Sequence, residues 1–183
     1  MIIAITANNN SVGKSTVAQI IHWFLYQKEW EEEYDEEIVV NWLTEKKANS
    51  IFSWDIVKFS EPPANIYFDI TGLDYHDLSR RDKEKERPRF IEFCEQCKNI
   101  FGNDVWVKAL FDNYTKDDNW IIDDLRFPVE LDRIKQEEHF IIGIVKNEGE
   151  QLNLLCDVII VNSGTLLDLC KAVKKVLIWK NLI

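Results

Sequence analysis

The first 25 residues constrain this fold more than any other stretch. An apolar run, Ile2-Ile3-Ala4-Ile5, leads directly into Thr6-Ala7-Asn8-Asn9-Asn10-Ser11-Val12-Gly13-Lys14-Ser15-Thr16. Apolar residues at helical spacing follow, at Val17, Ile20, Ile21, Phe24 and Leu25. A short apolar run bounded by turn formers reads as a buried strand, and the three-to-four-residue repeat reads as one face of a helix. The alternation recurs downstream. Strands are expected at Asp55–Phe59, Trp120–Asp124, His139–Val145 and Val158–Val161, with helices over Phe90–Lys98 and Asp104–Phe111. Pro128 can start another helix, and Thr165 with Asp168 makes a capping box for a last one, whose buried stripe is Leu166, Leu169, Cys170, Val173 and Leu177. Strands alternating with helices pack as a parallel sheet in an α/β fold. The 183 residues suit one domain spanning 1–183.

Charge narrows the partners. Lys and Arg number 22 against 32 Asp and Glu, a net charge of −10. Broad attraction to a nucleic-acid backbone or an anionic membrane is therefore excluded, and any anionic ligand must be held by local donors. No apolar run approaches the roughly 20 residues that span a bilayer. The N-terminus lacks a basic leader, so a cytoplasmic protein is expected. Cys94 and Cys97 form one CxxC with no second pair beside it, which reads as helix cysteines in a reducing compartment. The acidic run Glu29–Glu37 reads as a solvated face. Trp42 and Trp54 mark either an interface, which leaves a homodimer open, or the edge of the core.

The loop between the first strand and helix carries the chemistry. Gly13-Lys14-Ser15 matches the end of the phosphate-loop pattern GxxxxGK[ST], with Asn8 where the pattern opens on glycine. Asparagine tolerates positive φ better than most residues, so the turn stays open to it. Backbone N–H groups over Asn10, Ser11, Val12, Gly13, Lys14, Ser15 and Thr16, with the helix N-terminus, would cradle phosphates. Lys14 would reach the β- and γ-phosphates of ATP and the Ser15 hydroxyl would ligate Mg²⁺. Such sites need a second acid at another strand end, and Asp123 and Asp124 close the strand from Trp120. Arg126, two residues on, can face the same crevice beyond the carboxyl ends of the strands.

Several segments resemble, in order, the phage-type deoxynucleoside monophosphate kinase family. Asp124-Leu125-Arg126-Phe127-Pro128-Val129-Glu130 is similar to that family's Asp-Val-Arg-Phe-Pro-Asn-Glu. Lys58-Phe59-Ser60-Glu61-Pro62 resembles its Phe-Ala-Asp-Pro segment, with Gly72-Leu73 as the turn after it. Arg87-Pro88-Arg89 resembles a Thr-Pro-Arg that opens a helix, and Asp104-Val105-Trp106-Val107 its Asp-Val-Trp-Val. Asp157–Thr165 resembles its terminal Asp-x-x-Ile-x-Asn-x-Gly-Thr. The resemblance implies a P-loop three-layer fold with a central five-stranded parallel sheet and a lid. It implies transfer of the ATP γ-phosphoryl group to a deoxynucleoside monophosphate, in a host cytoplasm if the source is a phage. It assigns catalysis to Lys14, Asp124 and Arg126, and Mg²⁺ to Ser15, Asp123 and Asp124. The acceptor falls to Glu61, Arg89, Trp106, Asp124, Arg126 and Glu130, with Arg89 on its phosphate.

One part departs from that pattern. From Asn147 to Cys170 there is no Lys or Arg, so the lid is short and acidic, with Lys146 alone at its entrance. A missing electrostatic donor costs about 10²–10³ in rate. Two other readings stay open: on this departure, a nucleotide-binding protein with little or no transfer activity, and, because Asn10–Thr16 resembles the loop of partition-type ATPases, a switch-type ATPase.

Overall fold

Continuous runs of Ile and Val with no polar alternation belong in strands covered on both faces, and they become the middle of a sheet. A computed structural model describes residues 1–9, 11–29, 36–45, 54–73 and 78–183. In chain order it holds β1 (Ile2–Thr6), α1 (Lys14–Glu29), α2 (Glu36–Glu45), β2 (Trp54–Val57), α3 (Glu61–Thr71) and α4 (Arg80–Phe101). These are followed by α5 (Val105–Phe111), β3 (Asn119–Leu125), α6 (Pro128–Ile134), β4 (His139–Val145), β5 (Val158–Val161) and α7 (Leu166–Trp179). The five strands form one parallel sheet in the order β2-β3-β1-β4-β5, the α/β architecture expected. The chain divides into two compact units, Met1–Val57 with Thr115–Ile183, and Lys58–Tyr114.

In the first unit β1 lies between β3 and β4, with Ile2 in register with both Trp120 and His139. Ile3 and Ile5 of β1, with Ile121, Phe140, Ile142, Ile144 and Ile160, form one core with α1 and α7. The helix stripes foreseen there are buried: Val17, Ile20, Ile21, Phe24 and Leu25 from α1, and Leu169, Cys170, Val173 and Leu177 from α7, with Leu166 half-buried against them. The Thr165–Asp168 capping box is present. Trp42 and Trp54 are half-buried against this core, so both are edge residues of it. Of the acidic run Glu29–Glu37, residues 30–35 lie outside the described residues; Glu36 and Glu37 open α2, where acids suit the helix N-terminus.

The second unit is helical around an aromatic cluster. Tyr67 meets Phe68, Phe90 and Phe93 at centroid distances of 5.3, 5.5 and 5.5 Å, and Phe93 meets Trp106 at 5.9 Å. Two local expectations are corrected here. The strand expected over Asp55–Phe59 runs from Trp54 to Val57, and Glu61-Pro62-Pro63 begins α3, with proline in the first helical positions, where its missing N–H costs nothing. Arg87-Pro88-Arg89 does not open a helix: α4 starts at Arg80, capped by Ser79, and Pro88 lies inside it. The charges around it are spaced as helical neighbours, Lys85 to Asp82 at 3.1 Å and Arg89 to Glu86 at 3.4 Å. Such pairs support a helix face, each by a few tenths of a kcal/mol.

Candidate functional site

The loop leaving β1 sits over the carboxyl edge of the sheet, and its backbone is bent as a phosphate loop requires. Ser11 has φ 62° and Gly13 φ 102°. A Cβ at Gly13 would come within 2.6 Å of Asn162 Nδ2, and that same amide donates to the Val12 carbonyl at 2.8 Å. Gly13 is thus required both by its φ and by the close approach of Asn162. The Gly13 carbonyl accepts from Val17 N–H at 2.9 Å, so helical bonding starts directly behind the loop. No acid occupies the first turn of α1, which leaves that helix end electropositive. Asn10 lies outside the described residues. Asn8 does not use the tolerance of positive φ that kept the turn open to it. Among described non-glycine residues only Ser11 and Asn181 have positive φ, and the Asn8 side chain is bonded instead.

Four of the expected charged groups come together. The Lys14 amine, half-buried, donates to the Asn9 carbonyl at 3.4 Å across the loop. Burial and, after it, the Arg126 guanidinium lower the Lys14 pKa, while Asp123 and Asp124 act in the opposite sense. Lys14 therefore senses one like charge and two carboxylates at the end of β3. Asp123 and Asp124 are both buried. Adjacent strand residues normally point to opposite faces. Here the pairing of β1 with β3 slips: Ala4 faces Ile122, but Thr6 faces Leu125. Two residues of β1 span three of β3, a bulge that re-aims side chains where the two aspartates sit. This irregularity has no signal in the sequence.

Glu130 takes a role inside the protein. It is buried, and its Oε2 accepts the Arg126 N–H at 2.7 Å and the Phe127 N–H at 3.0 Å. It thereby shapes the turn that presents Arg126 and caps α6, instead of facing solvent as a substrate ligand would. Burial pushes its carboxyl up to about 7, and Asp124 adds to that, while the two N–H groups and Arg126 oppose it. The folded acid holds its proton more tightly than the unfolded one, so from about pH 4.5 to about 7 this group's contribution to stability falls as pH rises. Glu130→Gln, which keeps an acceptor oxygen, is expected to flatten that fall in thermal melts across this window. An unchanged pH slope would contradict the assignment.

Three of the residues expected on an acceptor, Glu61, Arg89 and Trp106, lie in the second unit and differ in character. Trp106 is buried, packs against Phe93 with the rings tilted by 38°, and donates its indole N–H to the Cys94 carbonyl at 3.4 Å. Glu61 is exposed in the first turn of α3. Arg89 is 76% exposed and paired with Glu86. Burial raises the Cys94 thiol to about 11, which suits a structural cysteine rather than a reactive one.

A metal site made by the protein alone is not evident: among the described residues no three His, Cys, Asp or Glu side chains gather. A pair of carboxylates with a serine hydroxyl fits Mg²⁺, which keeps water and phosphate oxygens as its remaining ligands. No helix among the described residues is long and apolar enough to cross a membrane. A family model described as phosphomevalonate kinase matches residues 36–140, more than half of the chain. That span takes in all of the second unit and the Asp123–Glu130 segment; it stops short of the phosphate loop. The match is not to the deoxynucleoside monophosphate kinases that the motifs resemble. No curated protein matches the chain.

Proposed function

The chain belongs to the phosphomevalonate kinase family, and from that premise we propose that it transfers the ATP γ-phosphoryl group to a phosphate monoester, giving a diphosphate and ADP. The carrying observation is the gathering of Lys14, Asp123, Asp124 and Arg126 where the loop after β1 meets the end of β3. Two cations and two carboxylates in one crevice suit a nucleotide whose negative charge is shared between protein and metal.

In this reading the loop N–H groups from Asn10 to Thr16 hold the β- and γ-phosphates, and Lys14 contacts both. The Ser15 hydroxyl and the carboxylates of Asp123 and Asp124 would hold Mg²⁺, which when bound neutralises charge on the phosphate oxygens. Arg126, held in orientation by Glu130 through its own backbone N–H, stabilises charge on the phosphoryl group in flight. For the acceptor phosphate we assign Arg89, whose guanidinium can exchange Glu86 for a bidentate phosphate. Glu61 is assigned to the acceptor as well, and Trp106 to the packing behind it.

Two acceptors fit the chemistry. The family description names phosphomevalonate, and the motif resemblance names a deoxynucleoside monophosphate; both present a phosphate monoester. A coupled ADP-release assay with each in turn distinguishes them. Release with neither, beside ATP binding seen by calorimetry, favours the nucleotide-binding reading; release without any acceptor favours a switch ATPase. Arg89→Ala is expected to raise the acceptor KM by about tenfold to a hundredfold with little change in the ATP KM. Equal effects on both substrates would remove Arg89 from the acceptor site.

A further inference from the structure

The general phosphate-loop pattern opens on glycine, and this chain carries an asparagine there whose side chain is used at both ends. Asn8 Nδ2 donates to the Gln151 carbonyl at 2.6 Å, and its Oδ1 accepts the Asn153 N–H at 2.8 Å. One side-chain amide thus pairs with the two peptide groups flanking Leu152, as a residue of a parallel strand pairs with its neighbour. Leu152 itself packs on the sheet. A Cβ at Gly143 of β4 would collide with Leu152 Cδ1 and come within 2.9 Å of Cys156 Sγ. Leu154 is buried. Downstream, Asp157 N–H donates to the Ile141 carbonyl at 2.8 Å and Ile141 N–H to Asp157 Oδ2 at 2.7 Å. Upstream, a turn through Gly149 closes with Glu150 N–H on the Asn147 carbonyl at 3.3 Å. The stretch expected to be a short lid is held at both ends and in the middle.

We infer that Asn8 is a positioning residue that clips the phosphate loop to a docked strap, residues 151–156. The loop is then braced from two sides, by the strap through Asn8 and by β5 through Asn162 on Val12. A braced loop loses less conformational freedom when it closes on phosphates, so the clip serves nucleotide affinity rather than the chemical step. The inference rests on the ATP-binding reading for its function and on geometry alone for its existence. A side-chain amide is required because it both donates and accepts; glycine offers neither bond and aspartate only the acceptor.

The test uses Asn8→Gly, which restores the usual glycine, beside Asn8→Asp, which keeps one of the two bonds. In the nucleotide-free protein, amide exchange at Asn153 is expected to accelerate about fivefold or more in Asn8→Gly and less in Asn8→Asp. ATP dissociation constants by calorimetry are expected to rise about tenfold in Asn8→Gly, with kcat at saturating ATP changed less than about twofold. Unchanged exchange at Asn153 would overturn the clip. Faster exchange with unchanged ATP affinity, or a loss confined to kcat, would overturn its positioning role. Failure of the wild-type protein to bind ATP would instead strike the proposed function, and the exchange result would still decide the clip.

Discussion

Replacing Lys14 by alanine is expected to lower phosphoryl transfer by at least about 10²–10³ while leaving the fold unchanged. The amine is half-buried at the first residue of α1, where it senses Asp123, Asp124 and Arg126. It is the one cation that the loop itself carries, and in the proposed reading it meets the phosphates. Its removal leaves two carboxylates facing the incoming nucleotide with less positive charge to balance them, so both transfer and ATP binding suffer. The fold should not. A positive charge at a helix N-terminus opposes the helix dipole, and alanine is a better helix former than lysine. A circular-dichroism melt beside the ADP-release assay separates the two effects. A folded variant with turnover within about threefold of wild type would contradict the phosphate-loop assignment.

Gly13→Ala is expected to be nearly as damaging, by a different route. At φ 102° an L-residue is strained, by roughly 1–3 kcal/mol. The new methyl would also press on Asn162 Nδ2, the group that holds the Val12 carbonyl. Relief of either strain moves the loop carbonyls and N–H groups away from the cradle, so ATP binding should fall by at least about tenfold. Combining it with Asn162→Ala removes the collision but not the strained φ. Partial recovery of stability in the double variant, with ATP binding still impaired because the brace on Val12 is gone, is the expected result. Full ATP affinity in Gly13→Ala would show that the loop does not need its observed bend.

What could be read from residues alone was whatever the local signals settle. β1, β4 and β5 are built on short apolar runs, and α1 and α7 carry stripes at helical spacing, the latter with its capping box. The phosphate loop was legible for the same reason: strand, loop and helix are contiguous in sequence. Features that depend on distant neighbours were not. The register slip at Asp123 and Asp124 arises from pairing β3 with β1, more than a hundred residues away. Glu130 was expected on an acceptor, and nothing local announced that it would accept the N–H groups of Arg126 and Phe127. Asn8 looked like a tolerant turn residue because its partners, Gln151 and Asn153, are over 140 residues downstream. The start of α4 was misplaced because Pro88 suggested a boundary, whereas the helix is capped at Ser79 and supported by charge pairs before and across the proline. The acceptor was illegible for a chemical reason. Phosphate monoesters share the group that arginines recognise, so motifs around that group do not distinguish a deoxynucleoside monophosphate from phosphomevalonate.

Labelled γ-phosphate gives the sharpest test of phosphoryl transfer to a phosphate monoester. ATP carrying the label would be incubated with the protein, Mg²⁺ and either phosphomevalonate or a deoxynucleoside monophosphate, and the products separated. The account predicts label in a diphosphate product of one acceptor, lost in Lys14→Ala. Label found only in inorganic phosphate, or left wholly in ATP while the nucleotide binds, would contradict it.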